Sequence, residues 1–216
     1  MKERIVINFK NYKQGKEAVK LGKKLDKLPV IIAVSASDIY EIKKQTSLKI
    51  YAQHVDAYKK GRHTGFILPE AVKADGASGT ILNHSEHALS WRILKKSVKR
   101  CKQAGLKVII CCSSLKQAKK ACRLKPKAIA FEVPELIASK KSISSQRPAS
   151  VKKFSQIIRK YNDKHKTRIE PLCGAGISSS KDVKSAISLG CQGILVSSAV
   201  VKSSNPKKKV KEFLDL

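Results

Sequence analysis

Five short stretches carry residues whose chemistry goes beyond packing. Asn8-Phe9-Lys10 sets an amide and a cation just after an apolar run. Asn83-His84-Ser85-Glu86 joins an imidazole to a carboxylate, and Phe131-Glu132 ends another apolar run in a second carboxylate. Cys173-Gly174-Ala175-Gly176-Ile177-Ser178 and Ser197-Ser198 are small-residue turns. Folded around one mouth, these stretches would bring together a cation, an imidazole, a carboxylate and small-residue loops. Small-residue turns at helix starts bind phosphate through backbone N–H groups and the helix dipole. Each stretch also has an ordinary reading: Lys10 as a surface charge, His84 as a helix-cap histidine, Glu132 as a helix-start carboxylate. What raises the joint reading is that all five follow runs of strand type.

Those runs recur along the chain. They are Ile5–Phe9, Val30–Val34, Ile50–Ala52, Thr80–Leu82, Val108–Ile110, Ala128–Phe131, Ile169–Leu172 and Ile194–Val196. Several are continuous and β-branched, as expected of parallel strands buried on both faces. The run at Ile169 is the weakest, because Pro171 cannot donate to a ladder. Helical segments separate them. From Glu86 to Gln103, the residues Leu94, Val98 and Cys101 form one apolar stripe with lysines on the other faces. From Ala149 to Asn162, Val151, Phe154, Ile157 and Ile158 do the same, with Pro148 at a plausible helix start. The stretch between Gln53 and Pro69 is irregular. Eight βα units with no linker between them predict either a closed (β/α)8 barrel or a doubly wound sheet, in one domain over residues 1–216. No G-x-G-x-x-G follows the first strand, which argues against a dinucleotide site. With 216 residues, a barrel of this kind is a trimmed one. Its active site would sit at the C-terminal strand ends, where the five polar stretches lie.

Composition bounds the rest. Hydrophobic residues make up 42% and charged residues 29%, which is globular and not disordered. No apolar run approaches the roughly 20 residues of a membrane span, and the first one is too short for a signal-peptide core, so a soluble cytoplasmic protein is expected. The 46 Lys and Arg against 16 Asp and Glu give +30. The lysines are spread from Lys2 to Lys211, mostly in helical stretches, which fits solvated helix faces better than a nucleic-acid groove. The six cysteines make no C-x-x-C pair and have no histidine at zinc-finger spacing, so no metal site is expected. Cys111, Cys112 and Cys173 lie in or beside strand-like runs and read as small hydrophobes, although a pairing of Cys101 with Cys122 stays open.

The chain resembles the triosephosphate isomerase family in its short archaeal form. The motifs are Ile7-Asn8-Phe9-Lys10, Ala52-Gln53-His54-Val55-Asp56, His63-Thr64-Gly65 through Lys73, Gly79 through Glu86, Pro134-Glu135-Leu136-Ile137, Leu172 through Ser178, and Val200-Val201-Lys202. The resemblance implies a TIM barrel. It implies interconversion of dihydroxyacetone phosphate and glyceraldehyde 3-phosphate, without a cofactor. Glu132 then matches the general base, His84 the neutral imidazole that polarises the carbonyl, and Lys10 the cation facing the enediolate. A helix after His84 should help to keep that ring neutral. Asn8 matches a substrate contact, and Ile137 lies on the lid loop. Gly176, Ser197 and Ser198 match the backbone phosphate cradle, with Gly174 beside them. The expected partner is a small phosphorylated triose, and the expected assembly is a homotetramer or homodimer, with no membrane and no specific nucleic acid.

The lid departs from the family's E-P-P-E-L-I-G-T-G, reading Glu132-Val133-Pro134-Glu135-Leu136-Ile137-Ala138-Ser139-Lys140. Val133 should loosen the hinge that proline would fix, and Ala138 should resist positive φ if the lid needs it. Ala199 replaces the family's glycine after the last strand. These changes leave the chemical residues intact and touch the phosphate grip, so the lid is expected to close less well and to let some enediol escape as methylglyoxal. A second reading keeps the barrel as a non-catalytic, basic module for nucleic acid or another polyanion. The dispersed lysines and the 5% aromatic content, few for base stacking, speak against it. In either case the excess charge repels itself, and salt screens that repulsion. The melting temperature should therefore rise between low salt and roughly 0.5 M salt, over which the Debye length shrinks several-fold; a flat profile would contradict this.

Overall fold

A computed structural model describes residues 4–132 and 142–215. Eight parallel strands close on themselves in sequence order. They are β1 (Arg4–Asn8), β2 (Val30–Val34), β3 (Lys49–Ala52), β4 (Gly79–Leu82), β5 (Lys107–Cys112), β6 (Ala128–Phe131), β7 (Glu170–Cys173) and β8 (Gly193–Val196). Closure is made by β1, which pairs Ile5 with Val30 on one side and with Ile194 on the other. The open-sheet alternative is thereby excluded: the fold is the (β/α)8 barrel.

The continuous apolar runs are explained by two cores. Val6, Ile31, Ala33, Tyr51, Ile81, Ile109, Cys111, Ala128, Ala130, Leu172 and Leu195 fill the barrel interior. Their strand neighbours, such as Ile5, Ile7, Ile32, Ile50, Val108, Ile129 and Ile194, face outward into a second core under the helices. Successive side chains on a strand alternate faces, so a strand apolar on both faces shows no alternation in its sequence.

The helices are α1 (Gly15–Leu25), α2 (Ile39–Gln45), α3 (Pro69–Ala74), α4 (Trp91–Gln103), α5 (Leu115–Cys122), α6 (Ile143–Gln146), α7 (Pro148–His165), α8 (Ser180–Ser188), α9 (Ser198–Val201) and α10 (Pro206–Leu214). In α4 the expected stripe of Leu94, Val98 and Cys101 is buried. The segment after Glu86 is not one helix, however. A single 3-10 turn spans Ser85–His87, and α4 begins only at Trp91. Two side chains enforce the break: Asn83 Oδ1 accepts from the Leu89 N–H at 2.9 Å, and the Ser90 hydroxyl caps α4 by accepting from the Ile93 N–H at 3.3 Å. In α7, Val151, Phe154 and Ile158 are buried, and Pro148 opens the helix. Strand β7 starts one residue later than its apolar run and tolerates Pro171, whose carbonyl accepts from the Gln192 N–H at 2.8 Å.

All six cysteines are buried free thiols. Burial pushes Cys101 and Cys112 up to about 12 and Cys122 up to about 11, so none of these three is a thiolate near neutrality. Cys101 and Cys122 are not bridged. Among the described residues no helix is long and apolar enough to cross a membrane.

At the floor of the barrel, Gly79 leaves no room for a side chain. A Cβ there would lie 2.5 Å from both the Tyr51 ring and the Lys107 carbonyl oxygen. Tyr51 is 1% exposed and the carbonyl is strand backbone, so neither can give way. Gly79→Ala should lower stability by about 1–3 kcal/mol, the usual cost of an overpacked core. Chemical denaturation that shows no loss would refute the close approach.

Candidate active site

The inward parity of the strands carries on past their C-terminal ends. Val6 is followed two residues later by Asn8, Tyr51 by Gln53, Ile81 by Asn83, Ala130 by Glu132, Leu172 by Gly174 and Leu195 by Ser197. The barrel lining thus turns from apolar to polar at one rim. A cavity of about 370 Å³ opens there, and Asn8, Lys10, His84, Glu132, Gly176, Ser197 and Ser198 all line it. Seven of the nine residues singled out from the sequence share this one hollow. Gly174 is placed behind it, against the Glu132 side chain, and Ile137 lies outside the described residues, as do Val133, Ala138 and Lys140.

Three of the rim turns hold non-glycine residues in the left-handed region: Lys10 at φ 47°, Asn83 at φ 61° and Ala175 at φ 63°. Each costs roughly 1–2 kcal/mol and persists only where the surroundings over-determine it. Lys10 is held at both backbone groups. Its N–H donates to Asn8 Oδ1 at 3.0 Å, and its carbonyl accepts from Gln53 Nε2 at 2.9 Å. Asn83 is held by its side chain, which donates to the Cys111 carbonyl at 2.8 Å and accepts from Leu89.

The reactive groups face one another. His84 Nε2 lies 3.6 Å from Glu132 Oε2, and both side chains are less than a tenth exposed. His84 Nδ1 accepts the Glu86 backbone N–H at 3.2 Å. That bond needs an unprotonated Nδ1, so the neutral ring carries its proton on Nε2, aimed at the cavity side. Lys10 Nζ pairs with Glu86 Oε1 at 2.6 Å, which fixes the ammonium at the cavity wall with donors to spare. The Cys111 thiol donates to the Glu132 carboxylate; burial first, and the nearby carboxylate second, push that thiol well above its ordinary range. Gly174 completes the setting, because a Cβ there would collide with Glu132 Cγ.

Two buried polar atoms at this rim have no hydrogen-bond partner among the described residues: Glu132 Oε2 and Ser197 Oγ. One is at the basic end of the cavity and the other at the small-residue end. Buried polar atoms left unpaired are costly, and at a cavity wall a bound ligand can supply the missing partner. At the small-residue end, the short turn α9 opens at Ser198, whose N–H and that of Ala199 precede the turn's own bonds. Next to it, Gly176 at φ 68° and Ser178 form the second wall.

Asp182 braces that wall. It accepts from the Ser178 and Ser179 N–H groups, each at 3.0 Å, and from the Ser179 hydroxyl at 2.9 Å. Burial would raise this carboxyl, but the bonds from Ser142, Ser178 and Ser179 hold it below the usual range. Ser145 reaches the same carboxylate, and the Ile143 N–H donates to Ala175. Asp182, Gln53, Cys111 and Tyr12 were not singled out from the sequence. Gln53 had a signal in its parity with Tyr51, and Asp182 one in its capping-box spacing from Ser179. Tyr12, an exposed aromatic beyond the first strand, had none.

The comparisons with known proteins agree. The family model described as triosephosphate isomerase matches residues 3–215. The chain is similar to the triosephosphate isomerase of Sulfurisphaera tokodaii, with 39% identity over 97% of this chain and 93% of that one. It is similar to that of Saccharolobus solfataricus, with 40% identity over 97% and 94%. The Methanocaldococcus jannaschii enzyme matches at 35%, over 97% and 98%. A crystal structure of the Bartonella henselae triosephosphate isomerase superposes with a TM-score of 0.75 at 18% identity, covering 99% of each chain, which shows the shared fold. A closed eight-strand barrel with this rim, and relatives of this closeness over nearly the whole length, place the chain in the triosephosphate isomerase family.

Proposed function

We propose that Glu132, His84 and Lys10 carry the isomerisation of dihydroxyacetone phosphate and D-glyceraldehyde 3-phosphate in this member of the family. The observation that supports this most is the facing pair of Glu132 Oε2 and His84 Nε2 in a cavity that also holds Lys10. In this reading the substrate phosphate sits at the small-residue end, against the N–H groups around Gly176, Ser197, Ser198 and Ala199. That places the carbon skeleton between the imidazole and the carboxylate.

The chemistry then follows from the residue types. The Glu132 carboxylate takes a proton from the carbon beside the carbonyl, and the electron pair of that C–H bond becomes the enediolate double bond. Negative charge moves to the carbonyl oxygen, where His84 Nε2–H and the Lys10 ammonium donate to it. Glu132 returns the proton to the neighbouring carbon, and the oxygens exchange a proton to leave the isomeric carbonyl. Atoms and charge balance without an external reactant. Asn8 and Gln53 serve by fixing Lys10, and Gly174 by leaving room for Glu132.

The same reading gives the chain a place in glycolysis and gluconeogenesis, as a cytoplasmic homodimer or homotetramer acting on a phosphorylated triose. What supports it is the family resemblance. The basic-module reading is disfavoured, because the reactive groups converge on a hollow the size of a small metabolite.

Two variants test the assignment. Glu132→Gln removes the base and keeps the shape, so kcat should fall by roughly 10²–10⁴-fold, the usual share of general acid–base catalysis, with KM little changed. Wild-type turnover in this variant would refute the role. Gly174→Ala should push Glu132 off its position and lower kcat/KM by about 10²-fold, as expected for a displacement near 1 Å. A folded Gly174→Ala protein with full activity would show that the glycine does not position the base.

A further inference from the structure

A second cavity lies beside the first and is unused by the proposed reaction. It is also about 370 Å³, set between α1 and the start of α10. Its rim carries four cations, Lys13, Lys20, Lys24 and Lys202, and one carboxylate, Glu17. Glu17 is taken by Lys13 at 2.9 Å. Lys20, Lys24 and Lys202 have no carboxylate within ion-pair distance among the described residues. Three uncompensated ammonium groups around one depression repel each other, and a multivalent anion relieves that repulsion. Leu21, Val201 and Pro206 lie buried beneath the lysine ends. The surface left open is mostly polar, with a smaller apolar share that the short carbon chain of an anion can meet.

The two cavities share a wall. Tyr12 and Lys202 line both of them. The Lys202 ammonium sits over the Tyr12 ring, 4.1 Å from its centre. Whatever draws Lys202 to one side changes the potential on the other. A dianion on one side of that shared layer disfavours a dianion on the other, by an amount that salt reduces.

We propose that this depression is a second anion site for a phosphomonoester dianion, and that its occupancy opposes substrate binding across the Tyr12–Lys202 wall. The inference rests on reading the first cavity as the site of a phosphorylated substrate. The site would make the enzyme sensitive to phosphate esters in general, with its own triose phosphates or free inorganic phosphate as the two sources.

The test uses the full chain at constant ionic strength. Binding of inorganic phosphate and of glycerol 3-phosphate, an ester with no carbonyl to react, is counted by equilibrium dialysis. Initial isomerase rates are measured with each added. Wild type should bind two anions per chain and show a KM that rises non-linearly with anion concentration at unchanged kcat, with glycerol 3-phosphate tighter than inorganic phosphate at the second site. Lys20→Gln/Lys24→Gln should bind one and show purely competitive inhibition, with the uninhibited kcat/KM within about twofold of wild type, since only long-range steering is reduced. Equal affinity of the two anions at the second site would assign it to inorganic phosphate and overturn the ester. Lys95→Gln/Lys99→Gln on α4 carries the same charge change and should behave as wild type. One anion per chain in wild type, or the same loss in the α4 control, would overturn the second site. Absence of isomerase activity in wild type would instead sink the proposed reaction, and the anion count would still read the second cavity.

Discussion

Closing eight parallel strands in register is the constraint on which the rest depends. Once Ile5 pairs with both Val30 and Ile194, every strand has one parity pointing inward and one pointing outward. The inward residues fill the barrel, and the next inward position at each C-terminal end emerges at a common rim. Glu132 stands over Ala130, Asn8 over Val6 and Ser197 over Leu195 because of this alternation. Three segments separated by tens of residues reach one hollow without any of them being long.

Rigidity at that rim comes from bonds that hold unfavourable backbone in place. Lys10, Asn83 and Ala175 all sit at positive φ, where a side chain is disfavoured. Lys10 is fixed by Asn8 and Gln53, and Ala175 accepts from Ile143. The result is an ammonium, an imidazole of one tautomer and a carboxylate set before any ligand arrives. Donors already oriented need no reorganisation when charge develops, which is where most electrostatic catalysis comes from. The orphaned oxygens of Glu132 and Ser197 are the counterpart of that preorganisation.

Much of this was legible in the sequence, and the reasons differ by element. The eight strands were readable because β-branched runs such as Val30–Val34 are buried on both faces, and the stripe of Leu94, Val98 and Cys101 announced α4. Its start does not follow from that stripe, because a 3-10 turn and a Ser90 cap interrupt a pattern whose period runs on. Lys10, His84 and Glu132 stood out by residue type at strand ends. Gln53 did not, since its work is a hydrogen bond to the distant Lys10 carbonyl, and Asp182 left only a capping-box spacing from Ser179, which says nothing of the cavity wall it braces. Gly174 was expected near the phosphate. Its place behind Glu132 depends on the approach of β6 and β7, which only the closed barrel sets. The +30 charge was read as solvated helix faces, and most of it is, but its local arrangement around Lys202 needed the fold to be seen.

The account stands on proton transfer at carbon through a protein group that exchanges with water. Turnover of dihydroxyacetone phosphate in deuterium oxide tests it most directly. The glyceraldehyde 3-phosphate formed should carry one solvent deuterium on the carbon next to the aldehyde, because a proton held on Glu132 can exchange before it is returned. A product made at full rate with no solvent deuterium at that carbon would contradict a proton that exchanges with water while Glu132 holds it.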